Sequence, residues 1–151
     1  MNNNINHPAH YNTHASKLEA ILLCEHMNFC LGNAFKYLFR CGQKGKATED
    51  LEKALWYLKR EKSLRSDSFW LRCWYADYAV LLDGPQIIQT VLDNDTRYSG
   101  HMAAALGHIW AAHDCRGIHL PLDNAIRSVE SMIRIAGYKH NAEMKFSQTR
   151  I

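Results

Sequence analysis

The chain has 151 residues and fits a single domain, residues 1–151, because one hydrophobic core serves chains of this length. An apolar fraction of 47% and a charged fraction of 22% exclude the composition of a disordered protein. The formal net charge of +3 is too small to indicate bulk nucleic-acid binding, and no specific nucleic acid is expected as a partner. The charge is local, since residues 36–65 hold nine basic and four acidic side chains.

The cysteines and the N-terminal sequence indicate where the protein acts. The chain has five cysteines, an odd number, without the C-x-x-C spacing of a zinc or redox site, so we expect reduced core thiols. The first residues lack the basic and apolar regions of a signal peptide, and no apolar run approaches the ~18 residues that cross a bilayer. These features predict a cytoplasmic protein without a membrane partner.

The N-terminal third predicts a polar arm and two helices. Residues 1–12 are rich in Asn and His, and Pro8 disfavours helix around it, which predicts the arm. Thr13 or Ser16 is expected to cap a first helix that runs through about Met27. Asn28 is expected to cap a second helix, Phe29–Cys41, which ends at Gly42.

Two further helices are predicted from residue 48 to residue 82. Thr48 can cap a third helix, and the acidic residues of its first turn complement the helix dipole. Leucines at helical spacing give this helix a buried stripe, and basic residues suit its C-terminal end. The segment Ser68–Leu82 is apolar almost all round, which predicts a buried central helix.

The rest of the chain is predicted to be helical to Ala136. Gly84 and Pro85 are expected to break the preceding helix, and three helices follow: Gln86–Leu92, about His101–Cys115, and Asp123–Ala136. Asp123 is expected to cap the last of these, Gly137 to stop it, and residues 138–151 to form a frayed tail. No strand pattern occurs, so the predicted fold is all-α, a single-domain bundle of about six to seven helices with the polar arm.

The polar side of the second helix is the strongest candidate for a binding site. Asn33, Lys36, Tyr37 and Arg40 follow at spacings of three and four, away from the apolar stripe. Arginine and lysine neutralise phosphate, and a glycine-rich loop lets the main chain approach it. Lys44 and Lys46 lie in that loop, but the P-loop pattern is absent. The alternative is a solvated basic face that ends in an ordinary C-cap and turn.

Two smaller groups could add to such a site. The arm holds His7, His10 and Tyr11, whose rings can stack on a base, bind phosphate or exchange protons near neutral pH. Glu49 and Asp50 could hold Mg²⁺, which prefers one or two carboxylates together with ligand phosphates. The alternatives are an arm that docks only for stability and carboxylates that only complement a helix dipole.

Three blocks in this order resemble the SaV-like family of small phage proteins. They are H-P-x-H-Y from His7, F-C-L-G-N-A-F-K-Y-L-F-R-C-G-Q-K-G-K from Phe29, and E-D-L-E-K-A-L-W-Y-L-K-R from Glu49. The resemblance covers residues 1–62, whereas residues 68–137 form a helical remainder without it. The family includes a coliphage nucleotide kinase that lacks a P-loop, so the resemblance implies nucleotide handling during infection of a bacterial host.

The most concrete function that the resemblance implies is a deoxynucleoside monophosphate kinase that uses ATP and Mg²⁺. Its expected catalytic residues are Arg40, Lys44 and Asp50, with an expected Mg²⁺ site at Glu49 and Asp50. The nucleotide and its phosphates would contact His7, His10, Tyr11, Asn33, Lys36, Tyr37, Arg40, Lys44, Lys46 and Lys53. Two alternatives stay open: a non-catalytic protein that sequesters a nucleotide or nucleotide signal, and a helical module that targets a host defence protein. Sixteen aromatic residues also favour a homo-oligomer.

Overall fold

The computed structural model describes residues 14–43, 45–67, 83–114 and 119–148, with side chains through residue 65 in the second range and residue 137 in the last. Within these ranges the chain forms six α-helices and one 3₁₀ turn and contains no strand. The prediction of an all-α fold is confirmed. The predicted helix Ser68–Leu82 and the N-terminal arm lie outside the described residues.

The first helix is much shorter than predicted. Helix α1 spans Ile21–Cys24, and residues 14–20 form turns and irregular structure. Ser16 is no helix cap: its backbone N–H donates to His14 Nδ1 at 3.1 Å, and its Oγ accepts from the N–H of Leu18 at 3.3 Å. These local bonds compete with helix formation, and Lys17 lies in the left-handed region at φ 60°.

Helices α2 and α3 form the predicted hairpin. Helix α2 spans Phe29–Phe39, and Asn28 caps it by accepting from the N–H of Leu31 at 2.9 Å. Gly42 follows at φ 78°, a conformation that glycine adopts without strain. Helix α3 spans Ala47–Asp67 and begins before Thr48, since the carbonyl of Lys46 accepts from the N–H of Glu49 at 3.1 Å. The predicted Thr48 cap is wrong.

Helix α4 spans Gly84–Asn94, the 3₁₀ turn spans Arg97–Gly100, and helix α5 spans His101–Asp114. Gly84 and Pro85 begin α4, because proline is tolerated in a first helical turn, where its missing N–H has no partner to lose.

Helix α6 spans Leu120–Gln148 and runs through the predicted stop. Gly137 has no left-handed φ, and a glycine inside a helix costs only about 1 kcal/mol relative to alanine. Residues 138–148 are helical rather than a frayed tail. Asp123 lies inside the helix, where its carboxylate accepts from Lys62 Nζ at 2.7 Å instead of capping the first turn.

Four helices close a ring around the core. Helix α2 packs on α3, α3 on α6, α6 on α5, and α5 back on α2, while α4 packs against α5. The core side chains are aliphatic and aromatic and come from every helix, the largest being Phe35 and Phe39 of α2. The hairpin of α2 and α3 therefore keeps one face on the core and turns the other outward. None of the described helices is long and apolar enough to span a membrane.

Candidate functional site

The outward side of α2 brings together the polar residues that the sequence placed there. Asn33 Nδ2 donates to the carbonyl of Phe29 at 2.7 Å, and Lys36 Nζ donates to Asn33 Oδ1 at 2.8 Å. These bonds fix the amide on the helix surface and lay the lysine along it. Asn33 thus positions Lys36 on the face that the helical spacing predicted.

Three cations surround the ring of Tyr37. Its centroid lies 4.7 Å from Arg40 Cζ, 5.1 Å from Lys36 Nζ and 5.8 Å from Lys53 Nζ. Lys36 belongs to α2, Arg40 directly follows the last residue of α2, and Lys53 belongs to α3, so the packing of the hairpin assembles the group. Cations attract the face of an aromatic ring, and holding three near one ring concentrates positive charge at a half-buried position.

An aromatic cluster adjoins these cations. Tyr57 of α3 lies at its centre, with ring centroids 5.9 Å from Tyr37, 5.8 Å from Phe29 and 4.9 Å from Trp56. Phe29 is 74% exposed and Trp56 is 61% exposed, although apolar rings of this size are usually buried. We name the combined surface the hairpin face: Phe29, Asn33, Lys36, Tyr37, Arg40, Lys53, Trp56 and Tyr57.

Arg40 and Asp50 form an ion pair at the loop end of the hairpin. Arg40 Nη2 donates to Asp50 Oδ1 at 3.2 Å, and the N–H of Gly42 donates to Asp50 Oδ2 at 3.4 Å. The Asp50 side chain is 2% exposed, whereas Glu49 is exposed and lies 3.9 Å from Lys53 Nζ. Both oxygens of Asp50 thus accept from the chain itself, and Mg²⁺ at Glu49 and Asp50 would have to displace Arg40. No group of three or more possible metal ligands occurs within the described ranges.

The remaining predicted site residues divide into two groups. Lys46 is exposed at the start of α3, beside the loop. His7, His10, Tyr11 and Lys44 lie outside the described residues.

A buried polar network that the sequence did not suggest lies behind the same loop. His14 Nε2 lies 3.2 Å from Asp95 Oδ2, and Arg97 holds both oxygens of Asp95, at 3.0 Å through Nε and 2.6 Å through Nη2. The ring of His14 stacks on Phe39 at 4.2 Å. Arg97 Nη1 also donates to the carbonyl of Cys41 at 3.3 Å, which ties the network to the end of α2.

The electrostatics of this network follow from its burial. Burial alone would raise the pKa of Asp95, but the hydrogen bonds from His14 and Arg97 outweigh it and hold that pKa below its usual range. Burial raises the pKa of the Cys41 thiol to about 11 and that of the Tyr98 phenol to about 12. Asp95 is therefore ionised and hydrogen-bonded to His14 and Arg97 near neutral pH. The Cys41 thiol and the Tyr98 phenol stay protonated there.

A small cavity of about 210 Å³ opens beside the network and is lined by residues 14–15, Gln43 and residues 94–97. The backbone next to it is unusual, since Tyr98 and Ser99 both take left-handed conformations, at φ 53° and 54°. Single non-glycine residues in this region cost about 1 kcal/mol or more, so surrounding contacts must hold them. No sequence signal links these residues, because His14 and Asp95 are 81 positions apart.

Part of the chain is similar to a known protein family. Residues 5–59 match DUF3310, a family described as a protein of unknown function. The matched range covers the start of the chain, helices α1 and α2, the loop and the first part of α3, so it contains the whole hairpin face. No curated protein and no solved structure matches the chain.

Proposed function

We propose that the protein binds nucleotides on the hairpin face. The observation that carries the proposal is the group of three cations around Tyr37, next to exposed aromatic rings. A nucleotide has the matching parts, since its phosphates need positive charge and its base needs a flat apolar partner. The sequence match to a family within residues 5–59 is consistent with a site there.

The phosphate would lie near Lys36 and Lys53. Lys53 is half exposed and its contact with Glu49, at 3.9 Å, is long, so its charge is available to a ligand. Lys36 is bonded to a neutral amide oxygen, which leaves its charge uncompensated by that partner. Arg40 already has Asp50 as its counter-ion and contributes less net charge than the sequence alone implied.

Transfer of a phosphoryl group from ATP to a nucleoside monophosphate, with Mg²⁺ present, is the most concrete form of this proposal. Such chemistry depends on positioning and charge neutralisation, which the cations of the hairpin face can supply. A magnesium ion held by Glu49 and Asp50 would require Asp50 to exchange its bond with Arg40 for the ion. Formation of a nucleoside diphosphate and ADP, measured for each common monophosphate, tests this form separately from binding.

The setting proposed for this activity is the cytoplasm of a bacterial cell infected by a phage. A homo-oligomer belongs to the same proposal because the neighbouring side chains of Ile21 and Leu22 are 55% and 39% exposed, and adjacent apolar side chains of this kind favour burial between copies. A host defence protein is a further proposed partner.

Thermal-shift measurements against nucleoside mono-, di- and triphosphates, with and without Mg²⁺, test nucleotide binding. A ligand at about a hundred times its dissociation constant adds ~2.7 kcal/mol to the free energy of unfolding, or roughly 5 to 11 °C for a chain of this size. The absence of a shift with every nucleotide would contradict the proposal.

A matched pair of lysines on α3 gives the control. Lys53 and Lys59 have similar exposures, 50% and 57%, but Lys59 pairs with Glu130 at 3.0 Å, away from the hairpin face. Lys53→Ala should weaken nucleotide binding by about 1 to 2 kcal/mol, the size of a charge-assisted contact at a partly exposed site. Lys59→Ala should leave the affinity unchanged, and equal losses in both variants would point to general charge rather than a site.

A further inference from the structure

We propose that the hairpin face binds single-stranded nucleic acid, with several nucleotides lying along α2 and α3. This inference rests on the proposed function, because it keeps the same face as the nucleotide site and names a strand as its occupant. It differs in the class of ligand, since a strand makes repeated contacts and a free nucleotide makes one set.

The shape of the face favours a strand over a free nucleotide. Sites for small molecules are concave and enclose most of the ligand. The rings of Phe29 and Trp56 are instead 74% and 61% exposed on the outer side of two helices. An open surface of this kind leaves much of a mononucleotide in solvent, whereas a strand compensates by repeating the contact along its length.

The length of the face fits a few nucleotides. From Phe29 to Arg40 the chain advances eleven residues, which at ~1.5 Å per residue is about 16 Å. A stacked strand places a phosphate every ~3.4 Å, so about four or five nucleotides cover this distance. That is at the lower end of the site sizes that proteins use for single strands, ~4 to 16 nucleotides for one small domain.

The order of side chains also fits a strand. Phe29, Trp56 and Tyr57 lie at one end, and Lys36, Lys53 and Arg40 surround Tyr37 towards the other. Aromatic rings stack on any base and cations contact any phosphate, so the combination binds without reading sequence.

Charge favours this occupant over a protein partner. A second copy of the chain carries a net charge of +3 and gains less from three cations held together than a strand does, which carries one negative charge per nucleotide. The whole-chain charge of +3 does not oppose a strand, because the positive charge is concentrated in the segment that forms the hairpin.

Fluorescence anisotropy with thymidine monophosphate and with labelled oligothymidylates of about two to twelve nucleotides tests the inference. The affinity should rise with length and level off at about four to six nucleotides. Two phosphate contacts on a single strand, from Lys36 and Lys53, predict a slope of about −1.4 for the logarithm of affinity against the logarithm of salt concentration.

Two equally exposed apolar residues provide the matched variants. Trp56 and Leu120 are both 61% exposed, but Leu120 lies on α6 and outside the hairpin face. Trp56→Ala should weaken strand binding about 5- to 150-fold, the loss expected for one stacked base, and Leu120→Ala should not change it. Both variants should keep the wild-type circular dichroism, because neither side chain is part of the core.

The outcomes separate this inference from the proposed function. If the mononucleotide and all strands bind equally well, the inference of strand binding is refuted and the proposed nucleotide site stands. If neither binds, both proposals fail. If Trp56→Ala dissociates an oligomer in sedimentation but leaves strand binding intact, the aromatic cluster is a contact between copies and the inference is overturned.

Discussion

Replacing Arg40 with alanine should reveal two roles for one side chain. Arg40 is 13% exposed and donates to Asp50, which is 2% exposed and has the N–H of Gly42, at 3.4 Å, as its other donor. Removing the guanidinium leaves a buried carboxylate with one long hydrogen bond. Removing one partner of a buried ion pair costs about 3 to 5 kcal/mol, and the residual exposure of Arg40 reduces the expected cost to about 2 to 4 kcal/mol.

This loss is larger than the loss expected if Arg40 only complemented the C-terminal end of α2. A cation that only complements the C-terminal end of a helix contributes at most ~1 kcal/mol when exposed. A loss of 2 to 4 kcal/mol lowers the melting temperature by roughly 5 to 15 °C in a chain of this size, which separates the two explanations. Arg40→Lys should recover part of the loss, because the charge stays near Asp50 while the planar fork is gone.

Urea denaturation of the wild type, Arg40→Ala and Lys36→Ala, each with nucleotide titration, provides the assay. Lys36 bonds to Asn33, a neutral partner, so its removal should weaken nucleotide binding and leave the free energy of unfolding within about 0.5 kcal/mol of the wild type. Arg40→Ala should lose nucleotide affinity and also free energy of unfolding. A stability loss below about 1 kcal/mol in Arg40→Ala would refute the ion-pair argument.

Further predictions concern the network, the loop, α6 and the Cys41 thiol. Asp95→Asn should lower the free energy of unfolding by about 2 to 4 kcal/mol at pH 7, whereas Asp93→Asn, at an exposed position, should lower it by about 0.5 kcal/mol. Because the pKa of Asp95 is lowered, its stabilisation is present above about pH 4 and disappears as the pH falls through that lowered pKa. Urea denaturation curves of the wild type and Asp95→Asn should therefore converge in acid. Gly42→Ala should lower the free energy of unfolding by about 1 to 2 kcal/mol, because alanine is strained at φ 78°. Gly137→Ala should raise it by about 0.5 to 1 kcal/mol in thermal melts, because the added methyl group meets open space and alanine favours the helix. The thiol of Cys41, with its pKa raised to about 11, should react with alkylating reagents at pH 8 only when the chain unfolds, and fast labelling of the folded protein would contradict its burial.

Helical periodicity was a sufficient guide to the hairpin. The Asn28 cap and the polar face with Asn33 and Lys36 depend on residues close in sequence, and both are found as predicted. The expected end of the helix is Cys41, but the helix ends at Phe39, two residues before the expected end. The contribution of Lys53 to the same face is also local, because a short loop makes the two helices antiparallel neighbours.

The errors have a common cause in competition that a local pattern does not express. Ser16 suits a helix cap, but it bonds instead within a turn that His14 anchors to the distant Asp95. Gly137 suits a helix stop, but packing of α6 against α3 and α5 outweighs a penalty of about 1 kcal/mol. The partners of Asp50 were likewise not visible in the local pattern: it lies in the acidic first turn of α3, as the sequence predicts, and tertiary packing adds bonds from Arg40 and Gly42.

The loop that follows α2 is held from both sides, and this links the network to the hairpin face. On one side Arg97 donates to the carbonyl of Cys41, and Asp95 and His14 fix that arginine. On the other side the N–H of Gly42 donates to Asp50, which in turn holds Arg40. The buried network thus contributes to the placement of a cation more than fifty positions away in sequence. An open, charged face requires such support, because exposed side chains alone do not hold three like charges around one ring.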